Sequence, residues 1–235
     1  MSEPFVPLPR RDFLGAVAVA GAALAVEACA TATGAAASNA PMPAMVTAPP
    51  AKEDGPFDHS WLDRLTAKHK QIFDIPSYDD GGGLALVRNY LNGLRDGFGA
   101  EPPDVHPVAG IHGDAAPIVF SDAIWAKYQF GKDSKTKDPR TGTWALRNVY
   151  WKVREGEDGY ETAVDRLQAR NCQFLFCNNV MRYLARSMAA EHGTTYAAMR
   201  AELVAGLLPG VVIVPAMVVA LGMAQEHGCS YVRAG

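Results

Sequence analysis

The chain has 235 residues, 49% hydrophobic and 20% charged, with a formal net charge of -3. That balance lacks the basic excess of a nucleic-acid binder and the acidic, aromatic-poor composition of a disordered chain, so nucleic acid is not an expected partner. Less a removed leader, the length fits one ordinary domain or one with an insertion.

Near the start, Arg10, Arg11, Asp12, Phe13 and Leu14 form an RRxFL motif followed by an apolar run from Gly15 to Val26. This is the layout of a twin-arginine export signal, read here over residues 1–37, and it predicts a periplasmic protein. The run falls short of the roughly 20 apolar residues that span a bilayer, so no stable membrane span is expected in the mature protein. Small-residue cleavage sites occur at Ala28-Cys29-Ala30, Ala30-Thr31-Ala32 and Ala35-Ala36-Ala37, and Cys29 offers a lipid-anchored alternative. Residues 38–58 are expected to form a flexible linker, since a stretch dominated by Ala, Pro, Thr and Ser buries little apolar surface. The twin-arginine route carries folded proteins, which hints at a cofactor but leaves it unknown.

From residue 59 onward, short β-type runs alternate with helical periodicity, the pattern of a mainly parallel five-stranded sheet in a three-layer α/β sandwich. The strands are predicted at His69–Ile75, Val105–Ile111, Gln173–Phe176, Val211–Val214 and Ser230–Arg233. Gly81-Gly82-Gly83 opens a helix running to about Gly97, with Leu84, Val87, Leu91 and Leu94 on one face. Further helices are expected around Tyr160–Arg170, after Asn179, and over Ala216–His227. The stretch 121–159, with Trp125, Tyr128, Trp144, Tyr150 and Trp151 among lysines and turn residues, breaks this rhythm and reads as an aromatic-rich insertion, a functional loop or a packing surface.

Beyond Cys29 the domain holds Cys172, Cys177 and Cys229, an odd number in an oxidising compartment. Cys172 and Cys177 are about 16 Å apart along an extended strand, too far for a disulfide, whereas Cys172 and Cys229 could meet if their strands are neighbours. Cys177 ends an apolar run and precedes Asn178 and Asn179, good N-caps, which places its thiol at a helix amino terminus, where the thiolate is favoured. The plainer reading is a buried cysteine acting as a small hydrophobe.

The segments Asn171–Asn179 (NCQFLFCNN), Leu208–Ala216 (LPGVVIVPA) and Ala224–Val232 (AQEHGCSYV), with Ile111-His112-Gly113, resemble the DsrE/DsrF-like family over about residues 69–120 and 160–235. The resemblance implies an α/β domain assembled as a homo-oligomer, often a trimer or hexamer. In active members the position of Cys177 carries sulfur as a persulfide, which implies a sulfur-relay partner. The 121–159 segment exceeds the compact family domain.

His112 is placed at the carboxyl end of the second strand, on the rim of Cys177, where an imidazole can polarise a thiol. With His59, His69, His106, His192 and His227 it forms no metal-ligand spacing, so no metal site is expected. Gly81-Gly82-Gly83 lacks the dinucleotide and P-loop spacings and reads as a flexible turn. Two classes follow: a sulfur carrier or sulfurtransferase using Cys177 with His112, and a non-catalytic periplasmic ligand-binding or assembly protein. An accessible thiol favours the first, a thiol buried without a path the second.

Overall fold

The computed structural model describes residues 54–235. The twin-arginine motif, the apolar run, Cys29 and the linker up to residue 53 lie outside the described residues.

Five strands, β1 (His69–Ile75), β2 (Val105–Ile111), β3 (Gln173–Cys177), β4 (Val211–Val214) and β5 (Ser230–Arg233), form one all-parallel sheet in the order β4-β3-β2-β1-β5. The helices are α1 (Ser60–Asp63), α2 (Gly82–Phe98), α3 (Asp122–Tyr128), α4 (Phe130–Asp133), α5 (Val164–Ala169), α6 (Asn178–Glu191), α7 (Tyr196–Ala205) and α8 (Met217–Glu226). The architecture is the three-layer α/β sandwich that the alternating pattern predicts.

Right-handed crossovers explain how the layers fill. From β1 to β4 the chain steps across the sheet in one direction, so the helices of those crossovers share one face. There Leu84, Val87, Trp125, Leu167, Met181 and Leu203 pack against Phe73, Ile111, Phe174 and Phe176. The step from β4 back to β5 runs the other way and puts α8 on the opposite face. There Met217, Ala220 and Ala224 join Trp61 and Leu65, at and just after α1, over Ile72, Val108, Leu175 and Val214. The strands alternate between the two cores as a period of two requires.

Several sequence expectations change. The linker does not reach residue 58: the Asp54 side chain is 3% exposed and already paired with arginines of the domain, so the folded unit takes in residues 54–58. Cys172 and Cys229 cannot pair, because β3 and β5 are separated by β2 and β1 and the two thiols belong to cores on opposite faces. Both are free, and burial pushes both thiols up in pKa. The helix expected over Tyr160–Arg170 is a 3-10 turn, Tyr160–Thr162, followed by α5; Ala163 turns extended between them, and the Val164 N–H reaches the Tyr150 carbonyl at 2.8 Å.

The insertion is part of the main core. Trp125 is fully buried, its indole N–H donates to the Pro117 carbonyl at 2.8 Å, and it packs near Tyr78, Phe130 and Tyr150. Buried Asn148 fastens the returning chain: its Nδ2 donates to the Ile118 and Phe120 carbonyls and its Oδ1 accepts from the Tyr150 N–H. Trp144 remains substantially exposed. Among the described residues no helix is long and apolar enough to cross a membrane.

Candidate functional site

The site follows from topology. After β3, α6 departs to the face that carries α2; after β4, α8 departs to the opposite face. Neighbouring strands whose helices part in this way open a crevice at their carboxyl ends, which is where open α/β sheets bind ligands.

Cys177 closes β3 at that end of the sheet. It is 5% exposed, lies in the core cluster with Val214 and Met217, and its sulfur accepts the backbone N–H of Met217, the first residue of α8, at 3.4 Å. It also occupies the N-cap position of α6, so the amino ends of two helices converge on it. Asn178 does not cap the helix as the sequence suggested. It is the first helical residue, is buried, and spends its side chain elsewhere.

His112 lies one step beyond the Ile111–Phe176 register pair, the position that continued pairing would set opposite Cys177 and on the same sheet face. Its hydrogen bond, however, is to another strand: Nε2 is 2.6 Å from Asp74 Oδ1, and the Tyr231 hydroxyl donates to Asp74 Oδ2 at 2.9 Å. The carboxylate orients the imidazole and leaves Nδ1 as the nitrogen free to meet a proton or a ligand. Between them, Gly110 leaves room for the Met217 thioether, which sits 2.7 Å from where a Cβ would stand. The structure thus brings Cys177 and His112 to one rim, with no hydrogen bond joining them among the described residues, and adds Asp74 and Tyr231. His112 reaches the surface, its side chain 26% exposed.

On the other side of the β3–α6 junction, Asp54 is gripped by helix side chains. Arg200 Nε lies 3.0 Å from Asp54 Oδ1, Arg182 Nε lies 2.7 Å from Oδ2 without hydrogen-bond alignment, and Asn178 Nδ2 donates to Oδ2 at 2.9 Å. Arg200 Nη2 donates to Asn178 Oδ1 at 3.0 Å. Burial pushes the Asp54 carboxyl up, but the Asn178 hydrogen bond and the Arg200 and Arg182 charges outweigh it and hold the pKa below the ordinary value.

The remaining candidates lie apart. Gly81-Gly82-Gly83 is a tight junction, not a flexible turn: Gly81 takes φ +84 with the Tyr150 ring 2.8 Å from where a Cβ would stand, and Gly83 is pressed by Ile75 and the Ala234 carbonyl. His106 lines a cavity of about 410 Å³ with Arg64, Cys172 and Gln173. His106, Cys172 and Gln173 lie at the start of β2 and β3, the opposite end of the sheet from Cys177. Trp144 and Tyr150 line a cavity of about 510 Å³, whereas Trp125 lies too deep to do so. Among the described residues no three His, Cys, Asp or Glu side chains gather as a metal would require.

No family model and no curated protein matches the chain. Among solved structures it is similar to a protein of unknown function, MTH1491 from Methanobacterium thermoautotrophicum, at 16% identity and a TM-score of 0.39. The match covers 70% of this chain and 98% of that one.

Sequence reasoning missed Asp74, Tyr231, Asp54, Arg182 and Arg200. Asp74 carried a signal, a carboxylate between apolar Phe73 and Ile75 at the carboxyl end of a strand. Arg182 and Arg200 carried a weaker one, each four residues after a polar residue on its own helix, Asn178 and Tyr196. That the two helix faces meet at Asp54 is set by packing alone.

Proposed function

We propose that this chain is an exported DsrE/DsrF-like sulfur carrier in which Cys177 holds sulfur as a persulfide. The observation that supports it most is that Cys177 ends β3 with the Met217 N–H aimed at its sulfur, while the end of the adjacent strand β2 carries an imidazole oriented by Asp74. In the proposed step His112 Nδ1 takes the thiol proton and the Cys177 sulfur attacks the outer sulfur of thiosulfate. The new S–S bond forms as the bond to the sulfonate sulfur breaks, and sulfite leaves with its electron pair. No external oxidant is needed. The RRxFL motif supports export, and the uncharged stretch Met217–Ala224, with Val218 76% and Val219 51% exposed, supports assembly of several copies through α8.

The deciding experiment is intact mass of the mature protein before and after thiosulfate, with Cys177→Ser as control. A gain of about 32 mass units that the variant lacks supports the carrier. No adduct, with Cys177 inert to alkylation while folded, overturns it. The burial of Cys177 specifically favours a second reading, a non-catalytic binding or assembly protein in which that cysteine is a core residue.

A further inference from the structure

Asp54 comes from the segment that precedes the domain, yet it occupies a site made by other elements: two arginines, an asparagine and a tyrosine from α6 and α7. Such a set is built for an anion. Two guanidinium groups, Arg182 and Arg200, meet the one Asp54 carboxylate among the described residues, and Arg186 lies over the Tyr196 ring of the same helix pair. Arg200 is buried, and its Nη1 has no hydrogen-bond partner among the described residues, a costly state for a guanidinium N–H. Beside it opens a cavity of about 750 Å³ whose walls include Tyr196, Ala197, Ala201, Val204 and Ile213, so a charged end adjoins an apolar one. A second cavity, of about 270 Å³, shares Arg200 and Ile213 with the first and is also lined by Phe57, Asp58 and Val211, so the 54–58 segment lies along the exposed edge of the sheet.

We propose that this is a binding site for a small carboxylate with an apolar body, its head on Arg200 and Arg182 and its tail against Val204 and Ile213, and that Asp54 is an internal carboxylate which a ligand displaces. The site is independent of the thiol chemistry at Cys177. Displacement exchanges one carboxylate for another at the arginines, so the added affinity comes from burying the tail and from satisfying Arg200 Nη1.

The test uses octanoate as probe, with octanol as its uncharged counterpart, by calorimetry on wild type and Asp54→Ala. Removal of the internal competitor is expected to tighten octanoate binding at least tenfold, octanol is expected to bind at least tenfold more weakly than octanoate, and adding Arg200→Met is expected to abolish the gain. Equal octanoate affinity in wild type and Asp54→Ala, or equal affinity for octanol, overturns the proposal. Should Asp54→Ala fail to fold, Asp54→Asn replaces it with thermal melting as readout. A larger rise in melting temperature with octanoate than with octanol supports the site, and equal or absent shifts overturn it.

Discussion

Asp54 and His112 show how a single residue takes its role from what faces it. The Asp54 carboxylate is nearly removed from water, and deleting it strands Arg182 and Arg200; breaking a buried pair in this way typically costs about 3 kcal/mol, which chemical denaturation of Asp54→Ala would measure. Its folded pKa lies below the unfolded value, so its stabilisation is present above about pH 4 and is lost as pH falls through the folded pKa. Acid titration of stability should therefore be shallower in Asp54→Asn below about pH 4, and an unchanged slope would refute the assignment. At the other site, His112→Gln is expected to slow thiosulfate-driven persulfide formation by at least about 100-fold, the usual contribution of a general base. Asp74→Asn is expected to slow it too, while Cys177 still reacts with a thiol reagent in the unfolded protein. A rate unmoved by either change would leave His112 as a structural histidine.

Among the elements, the insertion departs most from its outward reading. Its aromatic residues looked like a surface because nothing periodic joined them to the sheet, yet Trp125 fills the core and Gly131 lets the chain close on itself, with the Ala145 carbonyl 2.3 Å from where a Cβ would stand. Trp125→Ala is expected to cost about 3–5 kcal/mol, the range for emptying a large aromatic site. Gly131→Ala must push against backbone, and is expected to lower the melting temperature more than Gly97→Ala, whose site has open space. The strands were legible to within a residue, most plainly the central β2 and β3, because parallel strands buried on both faces are near-continuous apolar runs. Helix α7 was not read as a helix, although Thr195 accepts the Ala198 N–H at its start, a cap that was available as a signal.

For the whole molecule, the outer face of α8 and the nearby Tyr231, 43% exposed, are where the proposed assembly is expected to form. Light scattering after size exclusion should give a multiple of the chain mass for wild type and a single chain for Val218→Lys; a monomeric wild type would remove the assembly from the proposal. Replacing Arg10 and Arg11 by lysine is expected to retain the protein in the cytoplasm, read by fractionation. By itself the sequence determined the strand positions, the parallel α/β class and the placement of Cys177 and His112 at strand ends, because these depend on local periodicity and on short-range turn and cap chemistry. Only the tertiary structure decided that β3 and β4 are the neighbours whose helices part to opposite faces, that Asp74 holds His112, that Cys172 and Cys229 lie too far apart to pair, and that Asp54 returns to two arginines. Each of those depends on strand order and crossover direction, which bring together residues more than thirty positions apart and leave no periodic trace along the chain.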